Sequence, residues 1–178
     1  MLLNGGSLPV VYEDFLNPGQ VKAIIDKPVE WEQGKTLGTE VATMRIVKLA
    51  DITHYINLRN IVYDCIKELN AQTFNYDITR INQMNLLRYD VGGKYDYHQD
   101  VNYSSQEHRK ITFIIQLSDP NEYEGGTLEF RDGPFKGEGF KKMGSIMIFP
   151  SFLYHRITPV TKGIRHSIVG WAVGPRWR

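Results

Sequence analysis

Cysteine is almost absent: Cys65 is the only one in the 178-residue chain. One thiol cannot close an internal disulfide, so the fold must rest on a packed core, which fits a reducing compartment. No stretch reaches the roughly 18 apolar residues of a membrane span. The opening MLLNGGSLPV has no basic n-region, and its apolar run is too short for a signal peptide. The expected location is therefore cytoplasmic, with no membrane partner. Charge of one sign is missing too, since 21 Lys+Arg against 20 Asp+Glu leave a formal net charge of +1. That balance leaves no electrostatic footprint for nucleic acid. Internal repeats and low-complexity tracts are also lacking.

What is present suits a globular protein. Hydrophobic residues make up 42% and charged residues 23%, enough for a sizeable core in one domain over 1–178. Helical support is expected mainly over 13–73. Asn17-Pro18 reads as a helix entry, and Lys27-Pro28 as its end. A second helix spans Ile56 to Thr73, with Leu58, Ile61, Val62, Cys65, Ile66 and Leu69 on one apolar stripe. Cys65 thereby reads as packing, not as a reactive thiol. Thr43 to Lys48 reads as a strand. From about 80 to 175 the period changes to two: Met84–Tyr89, Tyr95–Asp100, Lys110–Ser118, Thr127–Arg131, Gly144–Phe149, Phe152–Ile157 and Arg165–Val173 read as strands. Helices followed by many short strands define a mostly β class with supporting helices. A jelly roll satisfies the pattern, and so does an open meander.

The densest chemistry lies in Lys94-Tyr95-Asp96-Tyr97-His98-Gln99-Asp100-Val101-Asn102-Tyr103. In an extended strand, residues i and i+2 share a face, so His98 and Asp100 point at one object and Gln99 points away. An imidazole and a carboxylate begin a metal site, and the third ligand must come from elsewhere. Among the other histidines, His54 reads as a surface or capping residue near a helix entry. His108, in a charged run, reads as solvated, and His166 faces away from its neighbour Arg165. His155 alone would read as a hydrogen-bonded core residue; beside His98 and Asp100 it becomes the third ligand. Two histidines and one carboxylate with open positions suit non-heme Fe(II).

Arg165 shares a strand face with Ser167, Val169 and Trp171, and that face is otherwise apolar. An inward arginine needs an anionic partner, because an unpaired buried charge is costly. Its planar fork suits a carboxylate. The partner is either an acid of the chain itself or the far carboxylate of a small dicarboxylate.

His98-Gln99-Asp100, His155, and Arg165-His166-Ser167 together resemble the 2-oxoglutarate- and Fe(II)-dependent dioxygenases. They are most similar to the prolyl 4-hydroxylase-like branch with its PKHD-type hydroxylases. The resemblance covers roughly 80–175, through Arg88-Tyr89-Asp90, Leu117-Ser118-Asp119-Pro120, Tyr123-Glu124-Gly125-Gly126-Thr127-Leu128 and Phe149-Pro150-Ser151. Tyr12-Glu13-Asp14-Phe15-Leu16 adds the start of that branch. It implies a double-stranded β-helix (jelly roll) with Fe(II) on His98, Asp100 and His155. It also implies 2-oxoglutarate held by Arg165 and Ser167, with Tyr89 lining the pocket or packing the core. It further implies that O2 is consumed, that succinate and CO2 are released, and that ascorbate serves as reductant.

The implied reaction is hydroxylation of an aliphatic C–H, of a prolyl residue in a peptide or protein, or else of free proline or another small molecule. Tyr97, Tyr103, Gln106, Arg131 and Trp171 are the substrate-facing candidates, with lid packing as the competing reading. Val101–Arg109 and Asp132–Lys142 are the loops expected to carry specificity. Asp100 departs from the halogenases of this fold, which need a small residue there. Trp171 stands where nucleic-acid demethylases of the superfamily carry a second arginine. The reading from a different class is a non-catalytic metal- or ligand-binding β-barrel, which would have no need of Arg165.

Overall fold

Of the 178 residues, the computed structural model describes 2–3, 9–34, 44–132 and 140–177. Thr43 and most of the Asp132–Lys142 loop fall outside the described residues. Helix α1 (Pro18–Ile25) begins as the sequence indicates. Asn17 Oδ1 accepts from the Gln20 N–H at 2.9 Å, and Gln20 Oε1 accepts from the Asn17 N–H at 2.9 Å. This reciprocal capping satisfies two donors that the first turn leaves free. Helix α2 (Ile56–Gln72) buries Leu58, Val62, Ile66 and Leu69, each worth roughly 1.5–3 kcal/mol of transfer free energy. The buried stripe is narrower than the spacing predicts: Ile61 is 43% exposed and Cys65 half-buried. Both lie on the flank of α2, where contact with the sheet runs out.

The strands are β1 (Leu2–Leu3), β2 (Val10–Tyr12), β3 (Glu32–Gln33), β4 (Arg45–Ile46), β5 (Lys48–Asp51), β6 (Arg80–Tyr89) and β7 (Lys94–His98). They continue with β8 (Glu107–Gln116), β9 (Tyr123–Gly125), β10 (Leu128–Phe130), β11 (Ile146–Pro150), β12 (His155–Ile157), β13 (Val160–Gly163) and β14 (Arg165–Pro175). A major sheet runs β1-β2-β11-β8-β14-β6-β5-β3 and a minor sheet β10-β12-β7-β4, with β9 and β13 paired separately. The central pairings β2-β11-β8-β14-β6 and β10-β12-β7-β4 join strands that are not consecutive in the chain, so this is a double-stranded β-helix and not a meander.

The centre of the major sheet, β11, β8 and β14, is buried on both faces. Ile111, Phe113 and Ile115 of β8 and Leu117 just past it, with Ile168 and Ala172 of β14, pack toward the helices. Ile114, Val169 and Trp171 pack into the space between the sheets. A strand buried on both faces can carry apolar residues at every position, so polar groups among them stand out. Thr112, Gln116, Arg165 and Ser167 are all buried there.

Two local readings are corrected. His108 is only 5% exposed, since its side chain sits beneath the Trp177 backbone at 3.1 Å; the charged neighbours alternate faces and leave it inside. The strand expected over Tyr95–Asp100 ends at His98, and the one expected from Phe152 begins only at His155.

Candidate active site

The site lies between the sheets, at one end of the minor sheet. His98 on β7 stands directly opposite His155 on β12. Four residues on β7, from Tyr95 to His98, run against three on β12, from Ile157 to His155. This extra residue is a β-bulge, which re-aims side chains. It turns Tyr95 and His98 to the same side, where their rings stack with centroids 3.6 Å apart. Asp100, just past β7, is fixed through its backbone: its N–H and that of Val101 donate to Ser151 O at 2.9 and 3.1 Å. Exposed Gln99 points away and reaches Phe152 O.

His98 Nε2 lies 3.5 Å from Asp100 Oδ1, and His155 Nε2 lies 3.4 Å from Asp100 Oδ2. One ligand atom from each of the three residues falls within 4.8 Å of the others, a group that can hold a metal ion. The two Nδ1 atoms face outward, with His98 Nδ1 2.8 Å from Asp96 O and His155 Nδ1 2.9 Å from Leu153 O. A carbonyl accepts only, so each Nδ1 carries the proton and each Nε2 offers its lone pair inward. Burial pushes the His155 imidazole down to about 4, so it is neutral at pH 7 and available to a cation. Burial alone would raise the Asp100 carboxyl. Facing His155 and His98 outweigh that and hold it well below the usual carboxylate range. Thr112 Oγ1 donates to Asp100 Oδ2 at 2.9 Å and lies 3.0 Å from Ser151 Oγ.

Behind these three residues a narrow cavity ends at Arg165, Ser167 and Tyr89. Arg165 is 2% exposed. Its Nη1 donates to Ser167 Oγ at 3.1 Å, its Nε has no hydrogen-bond partner, and it forms no salt bridge with any described residue. Gly126, at φ +56, allows this: a Cβ there would lie 2.8 Å from Arg165 Cδ. Burial raises the Tyr89 phenol, which stays protonated and able to donate. Between this cationic end and the three candidate ligands, the walls are Leu87, Ile114 and Val169. The sequence of surfaces is thus a donor-rich end, an apolar band and a mouth formed by the three candidate ligands. That order matches the chemistry of a keto acid with two methylenes and a terminal carboxylate.

An outer chamber, open to solvent, shares Arg45, Tyr95, His98, Asp100 and Trp171 with that cavity. Of the substrate-facing candidates, Trp171 lines both spaces and Tyr103 the outer one. Tyr97, Gln106 and Arg131 line neither. Tyr97 projects to the far side of β7 under Arg156, at 4.8 Å, and Arg131 lies over Tyr154 at 3.9 Å. Gln106 is exposed. The structure adds residues that sequence reading passed over: Arg45, Tyr95, Gln83, Asn85 and Arg109 line the chamber, and Thr112 holds Asp100. Arg109 stacks on the Trp171 ring at 3.6 Å. The Trp171 indole N–H approaches Asp100 without closing a hydrogen bond. Thr112 had a signal, as a polar residue on an inward face; Arg109 was hidden in a charged run.

Residues 84–173 match the family model of the 2OG-Fe(II) oxygenase superfamily. That is over half of the chain, and the chain belongs to this superfamily. A PKHD-type hydroxylase of Synechococcus sp. (strain CC9902) is 34% identical over 94 residues, 53% of this chain and 42% of that protein. The match therefore spans less than half of that relative's length. In fold, the chain is similar to a Pseudomonas putida prolyl-4-hydroxylase, with TM-score 0.70 and 16% identity over 94% of this chain and 93% of that one. It is also similar to a Trichoplax adhaerens prolyl hydroxylase solved with a hypoxia inducible factor oxygen degradation domain peptide fragment. There the TM-score is 0.71 and identity 20%, over 92% of this chain and 82% of that chain.

Proposed function

We propose that this protein is a 2-oxoglutarate- and Fe(II)-dependent hydroxylase acting on an aliphatic C–H, with a prolyl residue of a peptide or protein as substrate. The observation that carries the reading is Arg165. It is a buried guanidinium with no acidic partner among the described residues, and it faces the same cavity as His98, Asp100 and His155. A structural metal site would leave such a charge unexplained.

His98, Asp100 and His155 would hold Fe(II), and three protein ligands leave positions for a chelating cosubstrate and for O2. Bound there, the metal and 2-oxoglutarate supply oxidation of C–H to C–OH with release of succinate and CO2. The chain's own residues do the rest. Arg165, Ser167 and Tyr89 bind the far carboxylate; Leu87, Ile114 and Val169 exclude water from the methylenes. Thr112 keeps one Asp100 oxygen engaged and so orients the other. Tyr95, Trp171 and Arg109 form the wall against which a substrate C–H would be positioned. The prolyl assignment draws further support from the PKHD-type relative and from neighbours described as prolyl hydroxylases.

The test is succinate release with Fe(II), 2-oxoglutarate, O2 and ascorbate as reductant, on a proline-rich peptide library read for a 16-dalton gain. Activity must vanish in His98→Ala, Asp100→Ala and His155→Ala. Full turnover by the triple variant would sink the proposal. Hydroxylation of free proline alone would move the substrate to small molecules.

A further inference from the structure

Trp177 lies just past β14, outside both cavities, yet it touches the segments that hold Asp100. Its backbone N–H donates to His108 Nδ1 at 3.1 Å. Lys110 Nζ stands 3.6 Å from its ring centre. Tyr76 and Phe152 meet the ring edge-on, with centroids 4.8 and 6.1 Å away. The neighbouring Arg176 donates from Nε to Ser105 O at 3.3 Å, in the loop whose residues Asn102, Tyr103 and Ser104 line the outer chamber. Tyr103 in turn packs edge-on against His108 at 5.7 Å.

From that clasp a chain of short contacts leads to the candidate metal ligand. Lys110 O accepts the Ser151 N–H at 3.0 Å, and Ser151 O accepts the N–H groups of Asp100 and Val101. Ser151 Oγ meets Thr112, which donates to the Asp100 carboxylate. Phe152, under the Trp177 ring, receives the Gln99 side chain on its carbonyl. Asp100 follows the end of β7, so no ladder holds its backbone on that side; the 151–152 turn does so. The clasp is not tuned for stability alone, because it leaves His108 Nε2 and Trp177 Nε1 buried without partners.

We infer that Trp177 is a positioning residue for Asp100: its ring and backbone fix β8 and the 151–152 turn, and thereby the affinity of the site for a divalent cation. The inference rests on reading His98, Asp100 and His155 as metal ligands. Loosening the clasp frees the carboxylate while Leu58, Val62, Ile66 and Leu69 of α2 keep their packing, because the Trp177 ring meets that cluster at its partly buried edge, through Tyr76.

The probe is Mn(II) alone, titrated into the full apo chain and followed by electron paramagnetic resonance of the free ion. Trp177→Ala should bind Mn(II) about tenfold more weakly, or worse, as loss of outer support around metal ligands typically does. Trp177→Phe, which keeps a ring on Phe152 and Lys110, should restore most of the affinity. Ile66→Ala in α2 should lower overall stability and leave Mn(II) affinity near wild type. Equal affinity in wild type and Trp177→Ala, or an equal loss in Ile66→Ala, overturns the inference.

Coupling is reciprocal, so a second arm needs no variant and decides the matter if Trp177→Ala does not fold. Saturation with Zn(II) should slow hydrogen exchange at the Trp177 amide together with those of Asp100 and Val101. Slowing at Asp100 and Val101 only would overturn the coupling. Failure of wild type to bind either ion would overturn the ligand reading itself, a result separable from a variant-specific null.

Discussion

His98 and His155 face each other across the β7–β12 pair, ring centroids 4.3 Å apart, and each carries its Nδ1 proton toward a backbone carbonyl two residues earlier in the chain. The same i, i−2 contact on two antiparallel strands points both Nε2 atoms at Asp100. The tautomers are therefore set by backbone geometry before any cation arrives. Such preorganisation removes ordering cost from metal binding.

Arg165→Met tests whether the buried guanidinium serves a ligand or the fold. Removing a charge without an internal partner should leave the apo protein equally stable or more so in urea, because its desolvation is uncompensated. Affinity for 2-oxoglutarate, measured calorimetrically with Mn(II) present, should fall on the order of 100-fold or more, the scale of losing a bidentate charge-assisted pair. A large stability loss would instead assign Arg165 to the core.

Thr112→Val keeps the shape and removes the hydroxyl that donates to Asp100 Oδ2. The expected cost to apo stability is about 1 kcal/mol in chemical denaturation. Mn(II) affinity should drop about tenfold, since the carboxylate loses the partner that orients it. Unchanged metal affinity would show that the Ser151 backbone contacts suffice.

Cys65 should be a poor nucleophile. Burial, with Glu68 adding to it, pushes its thiol up to about 11 from 9.0. A raised value means less thiolate at any pH below it, by about a hundredfold for two units. Alkylation by iodoacetamide at pH 8 should be correspondingly slower than for a free thiol, and its rate should climb until about pH 11. Rapid labelling at pH 8 would contradict this environment.

Ile66 is fully buried between α2 and the major sheet. Ile66→Ala should destabilise the protein by about 2–5 kcal/mol through lost transfer energy and the cavity left behind. Ile61→Ala, at an exposed position of the same helix, should cost far less. Equal costs would mean that the α2 flank is covered in solution.

Local signals reach a long way in this chain. The Asn17–Gln20 cap, the α2 stripe and the strand alternation of β8 and β14 are short-range consequences of covalent geometry and hydrophobic periodicity, so they read directly from residue order. His98, Asp100, His155 and Arg165 could be singled out because each is a polar residue of the right chemistry on an inward face. Their convergence could not. It needs a bulge between Tyr95 and His98 that turns two rings to one side, and a Ser151 carbonyl that catches the Asp100 backbone after the strand has ended. Both are contacts between segments some fifty residues apart. The same physics explains Tyr97, Gln106 and Arg131, which sit near the motifs in sequence but face away from the cavity. It also explains Arg109 and Trp177, which no local pattern marks. Residue order determined which groups were available for chemistry. Tertiary structure decided which of them share a cavity, because register and bulges are settled by long-range pairing that periodicity does not encode.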